Sequence, residues 1–190
     1  MFNKIFYSLH NIVKVLKKGE IIAYPTEAVF GLGCDPDNEQ AIHKLFLLKR
    51  RSWKKGLILI ASSYEQLIPY VDYQRLTIEQ KNRIFSVKNK PITWVLPAKK
   101  NISKYLIGTF DSIAVRIIHL QLIKDLCFLY GKPLISTSAN LHGEPPCRTT
   151  EEVISRFNNK KVFILDGLVG GYQNPSEIRD IIKGCLYRKY

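Results

Sequence analysis

The sequence contains few cysteines and no long apolar run. Its cysteines are scattered and form no C-x-x-C pair, which argues against a disulfide framework or a metal site. No stretch of about 18 apolar residues could span a bilayer, so no membrane association is expected. The amino-terminal stretch MFNKIFYSLHN lacks the apolar segment and cleavage site of a signal peptide. These absences predict a cytoplasmic protein whose thiols stay reduced: Cys34, Cys127, Cys147 and Cys185.

Several catalytic motifs are also missing. There is no G-x-x-x-x-G-K-[ST] phosphate loop, and Gly31 and Gly33 lack the third glycine and the spacing of a dinucleotide fingerprint. No serine stands in a G-x-S-x-G elbow. Close acid pairs are rare, and the histidines are far apart in the sequence: His10, His43, His119 and His142. This inventory argues against an acid–base hydrolase or a metalloenzyme, and we assign no metal-binding residue.

Basic residues outnumber acidic ones. The chain has 29 Lys and Arg against 16 Asp and Glu, which gives a formal net charge of +13. Such a surplus attracts nucleic acids, nucleotides or acidic surfaces. A lysine-rich, solvated surface explains the same charge, so the charge alone does not decide between these interpretations.

The length and the apolar patterns predict one α/β domain over residues 1–190, with its core at about 5–188. Helical spacing and cap residues predict helices over 9–18, 38–49, 78–85, 120–130 and a short stretch after Thr149. Short apolar runs predict strands over 21–24, 57–61, 92–97, 112–117, 133–137 and 161–166, with two extended pieces near 177–181 and 185–188. Helices and strands intermingle without strict alternation, which favours a mixed sheet over a doubly wound parallel one.

The stretch YPTEAVFGLG (24–33) follows the first predicted strand. Pro25 stiffens the exit from the strand, and Thr26 offers a hydroxyl just beyond it. Gly31 and Gly33 allow close approach of the backbone. We interpret this strand end as part of a functional site, and an ordinary Pro-Thr turn explains it as well.

Five cations crowd the stretch LKRRSWKKG (48–56), where a helix ends and a strand begins. Basic residues at a helix carboxyl terminus suit the helix dipole and need no further function. In an extended exit, however, Lys49 and Arg51 would project to one side and Arg50 to the other. Two cations that face one cavity match a polyphosphate.

Short polar side chains end the strand in PLISTSANLHGEPP (133–146). Ser136, Ser138 and Asn140 lie at alternate positions, so they can face one ligand where the strand emerges. A hydrogen-bonded turn before Gly143 is the alternative.

Arg116 interrupts the otherwise apolar strand SIAVRI, on the same face as Ser112 and Ala114. An arginine in such a strand is costly without an anionic partner. No nearby acid in the sequence is an obvious partner. A ligand carboxylate and a salt bridge with a distant acid therefore both explain the residue.

Taken together, these motifs resemble the YrdC/TsaC family of threonylcarbamoyl-AMP synthases. The hallmark of that family is K-x-R followed far downstream by S-x-N, and this chain has Lys49-Arg50-Arg51 and Ser138-Ala139-Asn140. YPTEAVFGLG, KGLILIA, SIAVRI, STSAN and NPSEIRD (174–180) stand in the order of the family. The resemblance covers about residues 5–188, and the compact bacterial form of the family fits best.

The resemblance implies a twisted, open mixed β-sheet that is flanked by helices and curls around a positively charged central cavity. It implies a nucleotidyltransferase that makes L-threonylcarbamoyladenylate from L-threonine, bicarbonate and ATP and releases pyrophosphate. ATP would be a substrate, and Mg²⁺ would be carried mainly by the nucleotide. The product would pass to the threonylcarbamoyl transferase complex that modifies tRNA, and the question whether tRNA itself binds weakly to this chain stays open.

The resemblance also implies functions for the residues at matching positions. Lys49 and Arg51 would be catalytic, close to the phosphates and the amine that becomes carboxylated. Threonine would contact Thr26 and Ser136 through hydroxyl groups and Arg116 through its carboxylate. The nucleotide would be held by Arg51, Ser112, Ser138, Asn140 and Arg188.

The chain departs from the family pattern at three places. Ser52 replaces a usual proline, His142 replaces a common serine, and LILIA (57–61) lacks a histidine that closes this strand in many longer relatives. The last departure removes one expected contact to threonine. Two other interpretations stay open: a non-catalytic, basic RNA-binding module, and a carbamoyl-transfer domain of the kind found in larger enzymes.

Overall fold

The structure is a computed structural model, and it describes residues 7–86, 90–141, 143–158 and 160–189. Within these ranges the chain forms six α-helices: α1 (Leu9–Lys17), α2 (Glu39–Lys49), α3 (Ile78–Phe85), α4 (Lys104–Ile107), α5 (Gln121–Tyr130) and α6 (Thr150–Phe157). Its strands are β1 (Ile21–Pro25), β2 (Phe30–Gly33), β3 (Ile58–Ala61), β4 (Ile92–Pro97), β5 (Ser112–Ile117), β6 (Leu134–Ser138), β7 (Val162–Ile164), β8 (Glu177–Asp180) and β9 (Leu186–Arg188). Among the described residues, no helix has both the length and the apolar character needed to cross a bilayer.

All nine strands join one open sheet in the order β7-β1-β2-β6-β3-β5-β4-β8-β9. Three neighbouring pairs are parallel, namely β1 with β7, β3 with β5 and β4 with β8. The other neighbours are antiparallel. The predicted α/β fold with a mixed, open sheet flanked by helices is therefore confirmed.

Local sequence signals set most helix boundaries. The side chains of Ser8 and Asn38 accept backbone N–H groups at the starts of α1 and α2, which satisfies donors that a helix start leaves open. Thr77 and Gln80 form the predicted capping box of α3. Gly131 ends α5 in a left-handed conformation that glycine adopts without steric cost.

Apolar side chains fill both faces of the sheet, because successive residues of a strand point to opposite sides. Ile22 and Ile60 lie on one side, with the buried faces of α1 and α5. Ala23 and Leu59 lie on the other, in the larger cluster that includes α2. Buried strands therefore carry near-continuous apolar runs, which is why the sequence reveals them so clearly.

The second half of YPTEAVFGLG holds a strand that was not predicted from the sequence. Phe30–Gly33 forms β2, which pairs with β1 on one side and β6 on the other. Glycine is depleted in strands, so the two glycines concealed this one. Gly33 is needed there because a Cβ atom would lie 2.0 Å from the carbonyl oxygen of Ile135.

Candidate active site

A cleft of about 500 Å³ opens on the sheet and is lined by residues of every strand from β2 to β9 in the sheet order, namely β2, β6, β3, β5, β4, β8 and β9. Seven of the nine predicted site residues line it: Thr26, Arg51, Ser112, Arg116, Ser136, Ser138 and Arg188. Lys49 and Asn140 are not among its lining residues. Asn140 belongs to the turn after β6, and Lys49 donates hydrogen bonds to that turn. Stretches far apart in the sequence thus contribute to one concave surface, which is the usual form of a ligand site.

The predicted face of β5 is the one that borders the cleft. Ser112, Ala114 and Arg116 line it, while Ile113 and Val115 between them are buried in the core. The alternation of the strand therefore brings a hydroxyl and a guanidinium to the same side, as the sequence indicates.

The K-x-R segment is not extended, so the predicted reason for its geometry is wrong. Lys49 is the last residue of α2, and Arg50 follows as its cap with a left-handed φ of 50°. This reversal leaves Arg50 exposed, whereas Lys49 is buried and Arg51 lines the cleft. The expected separation of Arg50 from its two neighbours is present, but a helix cap produces it.

The Lys49 ammonium lies under the turn that follows β6. Its Nζ donates to the backbone oxygen of Ser138, to the backbone oxygen of Asn140 at 2.8 Å and to Asn140 Oδ1 at 3.1 Å. These three acceptors match the three donors of an ammonium group. Burial and the nearby charge of Arg51 lower the pKa of Lys49 to about 8.

Arg51 is held at one end only. Its Nη2 donates to the Gly56 oxygen at 2.9 Å, and Nη1 makes a long contact of 3.5 Å with Thr137 Oγ1. Its Nε is buried without a hydrogen-bond partner among the described residues. Burial lowers the pKa of Arg51, and an arginine stays charged in proteins despite such a shift. The group therefore brings a fixed cation with spare donors to the cleft.

The turn after β6 is held by side-chain hydrogen bonds, and it also follows two serines that lie beside the cleft. Ser138 Oγ donates to Asn140 Oδ1 at 2.6 Å, and Asn140 Nδ2 donates to the Glu144 oxygen at 2.7 Å. Ser136 and Ser138 line the cleft, but Asn140 serves the hydrogen-bonded turn. The two serines thus face the cleft and Asn140 does not line it, and the contact of these side chains with one ligand stays a prediction. His142 lies outside the described residues.

Thr26 and Ser136 border the same small space. A Cβ atom placed on Gly31 would lie 3.3 Å from Ser136 Oγ and 3.3 Å from Thr26 Cγ2. The Thr26 hydroxyl donates to the Val29 oxygen at 2.7 Å, so its remaining capacity is to accept a hydrogen bond. Gly31 thus keeps free a small space beside the Ser136 hydroxyl and the Thr26 methyl group, which even one added carbon atom would crowd.

Arg116 has the distant acidic partner that the sequence left open. Its Nη1 lies 3.0 Å from Glu27 Oε2, and both side chains are buried. The Nε of Arg116 has no hydrogen-bond partner among the described residues. The salt-bridge interpretation is therefore correct, and it leaves part of the guanidinium available to a ligand.

Arg188 reaches the cleft from the last strand of the sheet. Its Nε donates to the Ser176 backbone oxygen at 2.8 Å, and its Nη2 contacts Ser176 Oγ at 3.2 Å. Burial, and then the neighbouring charge of Arg116, lower the pKa of Arg188. Two guanidinium groups thus share one region of the cleft, which favours an anionic ligand between or beside them.

The lining of the cleft is rich in cations. Its charged residues are Arg51, Lys55, Arg116, Lys183, Arg188 and the single carboxylate Asp111. Across the described ranges, no group of three or more His, Cys, Asp and Glu side chains could hold a metal ion. The donor set suits an anion, and the expected positive potential of the cavity stays a prediction that this lining favours.

Three residues at the site were not predicted from the sequence. Ser176 lines the cleft within the quoted motif NPSEIRD, and Thr137 lines it within STSAN. Glu27 lies within YPTEAVFGLG and touches Arg116. All three residues lie in motifs that carry the family resemblance. The pairing of Glu27 with Arg116, however, joins residues 89 positions apart and has no local signature in the sequence.

Comparison with known proteins gives consistent results. The family model for Sua5, YciO and YrdC, described as telomere recombination, matches residues 14–189. The chain is 54% identical over 189 residues to the threonylcarbamoyl-AMP synthase of Photorhabdus laumondii, with 100% of both chains covered. It is 55% identical over 177 residues to the enzyme of that name from Klebsiella pneumoniae, with 93% of each covered.

A solved structure supports the same relationship. The crystal structure of P. abyssi Sua5 complexed with L-threonine is 26% identical, with a TM-score of 0.82 over 90% of this chain. The chain corresponds to 50% of that protein. The match of the family model over most of the chain, together with relatives above 50% identity, leads to one conclusion: the chain belongs to the Sua5/YciO/YrdC family.

Proposed function

We propose that this protein is an L-threonylcarbamoyladenylate synthase, which converts L-threonine, bicarbonate and ATP into threonylcarbamoyl-AMP and pyrophosphate. The observation that carries the proposal is the end-to-end similarity to enzymes named threonylcarbamoyl-AMP synthase. The cleft supports it, because it combines cations for a polyphosphate with hydroxyl groups for a small polar substrate. In class, the enzyme is a nucleotidyltransferase.

Threonine fits the end of the cleft beside Thr26, Ser136 and Arg116. The guanidinium of Arg116 would bind the carboxylate through two parallel hydrogen bonds. The Thr26 hydroxyl already donates to Val29, so the threonine hydroxyl would donate to it. This polarity gives the site a means to recognise a side-chain hydroxyl rather than a methyl group.

ATP fits the part of the cleft bordered by Arg51, Ser112, Ser138 and Arg188. Arg51 donates one hydrogen bond to the backbone oxygen of Gly56, and Arg188 donates one to the backbone oxygen of Ser176. The remaining N–H groups of each guanidinium would bind phosphate oxygens. Asn140 would act through the turn it closes, since it does not line the cleft. Lys49 would act by its charge, because its three donors are already engaged by that turn.

The reaction needs no nucleophile from the protein. The threonine amine takes up carbon dioxide with release of a proton, or bicarbonate with loss of water, to form a carbamate. A carbamate oxygen then attacks the α-phosphorus, and pyrophosphate leaves. Alignment of two substrates and stabilisation of the developing negative charge supply the catalysis. Mg²⁺ would be held mainly by phosphate oxygens and water, since Asp111 is the single carboxylate in the lining of the cleft.

The product is a mixed anhydride of a carbamate and a phosphate, which water hydrolyses readily. We therefore expect a partner that consumes it promptly, in the form of a tRNA-modifying threonylcarbamoyl transferase complex in the cytoplasm. The positive net charge is compatible with weak binding of tRNA to this chain.

The test is pyrophosphate release from ATP, measured with and without threonine and with and without bicarbonate, followed by mass spectrometry of the nucleotide product. Release that requires both co-substrates and yields threonylcarbamoyl-AMP supports the proposal. Salt-sensitive RNA binding with no pyrophosphate release under any condition would overturn it in favour of a non-catalytic RNA-binding module.

A further inference from the structure

Glu27 is a buried carboxylate close to the cleft that the proposed reaction does not use. It is 2% exposed and is not among the residues that line the cleft. Its Oε2 lies 3.0 Å from Nη1 of Arg116 in the ion pair but has no hydrogen-bond partner among the described residues, and its Oε1 accepts the backbone N–H of His119 at 2.9 Å. One side chain therefore holds both the guanidinium of Arg116 and the backbone just beyond β5.

The backbone around Glu27 is itself fixed. Its carbonyl oxygen accepts the N–H of Tyr172 at 3.0 Å, and the preceding carbonyl, of Thr26, accepts the N–H of Gly170 at 3.0 Å. Gly170 packs so closely that a Cβ atom there would lie 3.0 Å from the Glu27 Cα. The carboxylate is thus presented to Arg116 from a rigid support.

The ion pair uses one corner of the guanidinium. Nη1 faces Glu27, whereas Nε is buried and has no hydrogen-bond partner among the described residues. The N–H groups of Nε and Nη2 lie along one edge of the planar group, and that edge matches the two oxygens of a carboxylate. A buried donor without a partner is costly, so this edge is suited to a ligand.

The positive charges of Arg116 and Arg188 also indicate an anionic ligand at this place. Arg116 and Arg188 are close enough for one to lower the pKa of the other. Burial of two guanidinium groups together is unfavourable without a counter-charge. Glu27 supplies one from outside the lining of the cleft, so it does not occupy the position of a ligand.

We propose that Glu27 is a positioning residue, which fixes Arg116 so that its Nε–Nη2 edge is presented to the carboxylate of the amino-acid substrate. The inference rests on the proposed function, since it takes threonine as that substrate. Glu27 itself does not touch threonine. Its effect on binding therefore depends entirely on Arg116.

The test compares the dissociation constants of L-threonine and L-threoninamide, measured by calorimetry with the full chain and with Glu27→Gln. The amide has the size of threonine but no carboxylate. The wild-type chain should prefer threonine on the order of 10- to 100-fold, the usual value of a charged hydrogen-bonded contact. Glu27→Gln should bring this ratio close to 1, mainly by weakening threonine.

If Glu27→Gln only disturbs the structure, it should weaken the binding of threonine and threoninamide by the same factor and leave the ratio of their dissociation constants unchanged. That result would overturn the inference while the proposed function stands. A wild-type chain that binds no threonine would overturn both. In an Arg116→Met background, Glu27→Gln should leave the ratio as it is, because Glu27 then has no guanidinium to position. A further fall in that background would contradict the inference.

Two further variants keep the test decisive. If Glu27→Gln does not fold, Glu27→Asp keeps the charge and shortens the side chain by one methylene, so the ratio should fall part of the way; an unchanged ratio would overturn the inference. Asp35→Asn is the matched control. It removes a largely buried carboxylate that pairs with Lys132 at 2.7 Å, and neither residue lines the cleft. Its ratio should equal that of the wild-type chain.

Discussion

Lys49 Nζ lies 3.1 Å from Oδ1 of Asn140, a residue 91 positions further along the chain. This contact joins the K-x-R and S-x-N motifs, and the backbone oxygens of Ser138 and Asn140 complete the set of acceptors around the ammonium. The two motifs are therefore parts of one support. The Lys49 ammonium therefore acts on the cleft through its charge, because its hydrogen-bond donors are already engaged.

Arg51→Ala should lower kcat for threonine-dependent pyrophosphate release on the order of 100- to 1000-fold. Negative charge grows on the pyrophosphate and the α-phosphoryl oxygens as the bond breaks, and a cation fixed in a partly dry cleft stabilises that charge best. Steady-state kinetics measure the effect, and a thermal melt establishes that the variant is folded.

Arg50→Asn is the matched control for Arg51→Ala. It removes the adjacent cation, which is exposed, and asparagine tolerates the left-handed φ of 50° at this cap. Most activity should remain. An equal loss in both variants would mean that local positive charge, rather than a placed guanidinium, matters for the reaction.

Threonine should be strongly preferred over valine as a substrate. Valine has the same shape but offers no hydroxyl to hydrogen-bond with Thr26 and Ser136, and this loss costs more than a lost methyl group. Serine should be the better competitor, since it keeps the hydroxyl and loses one methyl, worth about 1 kcal/mol. The ratio of kcat/KM values measures this order, and equal turnover of valine and threonine would refute the assignment of the pocket.

Arg116→Lys should raise the KM for threonine on the order of 10-fold or more and leave the KM for ATP nearly unchanged. An ammonium still pairs with Glu27, but it cannot offer two parallel hydrogen bonds to a carboxylate. Initial rates with each substrate varied in turn measure the two constants. A similar rise for ATP would make Arg116 a nucleotide ligand.

Much of the fold was predictable because helix caps and apolar runs are local signals. The capping box at Thr77 and the cap at Gly131 were visible in the sequence and are present. β2 was missed because its glycines oppose strand propensity, and only the neighbouring strand explains them. The left-handed Arg50 and the Glu27–Arg116 pair depend on tertiary contacts, so no local pattern could reveal them.

The two glycines of β2 should respond differently to alanine. In Gly33→Ala the new Cβ would meet the Ile135 oxygen at 2.0 Å, which should lower the free energy of unfolding by about 1–3 kcal/mol or more. In Gly31→Ala the Cβ would enter the space beside Thr26 and Ser136, which should weaken threonine binding with a smaller loss of stability. Urea unfolding and calorimetry separate the two effects, and the reverse order would contradict the packing described for this strand.

The charge of Lys49 should control the alkaline limb of the pH profile. Burial and Arg51 lower the pKa of its ammonium to about 8, so kcat/KM for ATP at saturating threonine should fall as the pH rises through that value. The phosphates of bound ATP favour the ammonium, so the corresponding limb of kcat should lie at higher pH. In Lys49→Arg the limb near pH 8 should vanish, because a guanidinium stays charged.

Folding stability gives an independent reading of the same group. Between the folded pKa of about 8 and the ordinary lysine value of 10.5, the unfolded chain binds more protons at this site than the folded chain. Unfolding therefore becomes less favourable as pH rises across this window. Urea denaturation at several pH values should show that the free energy of unfolding increases with pH across this window, and Lys49→Met should remove this increase. A slope that persists in Lys49→Met, or a kinetic limb near pH 8 that persists in Lys49→Arg, would assign the titration to another group.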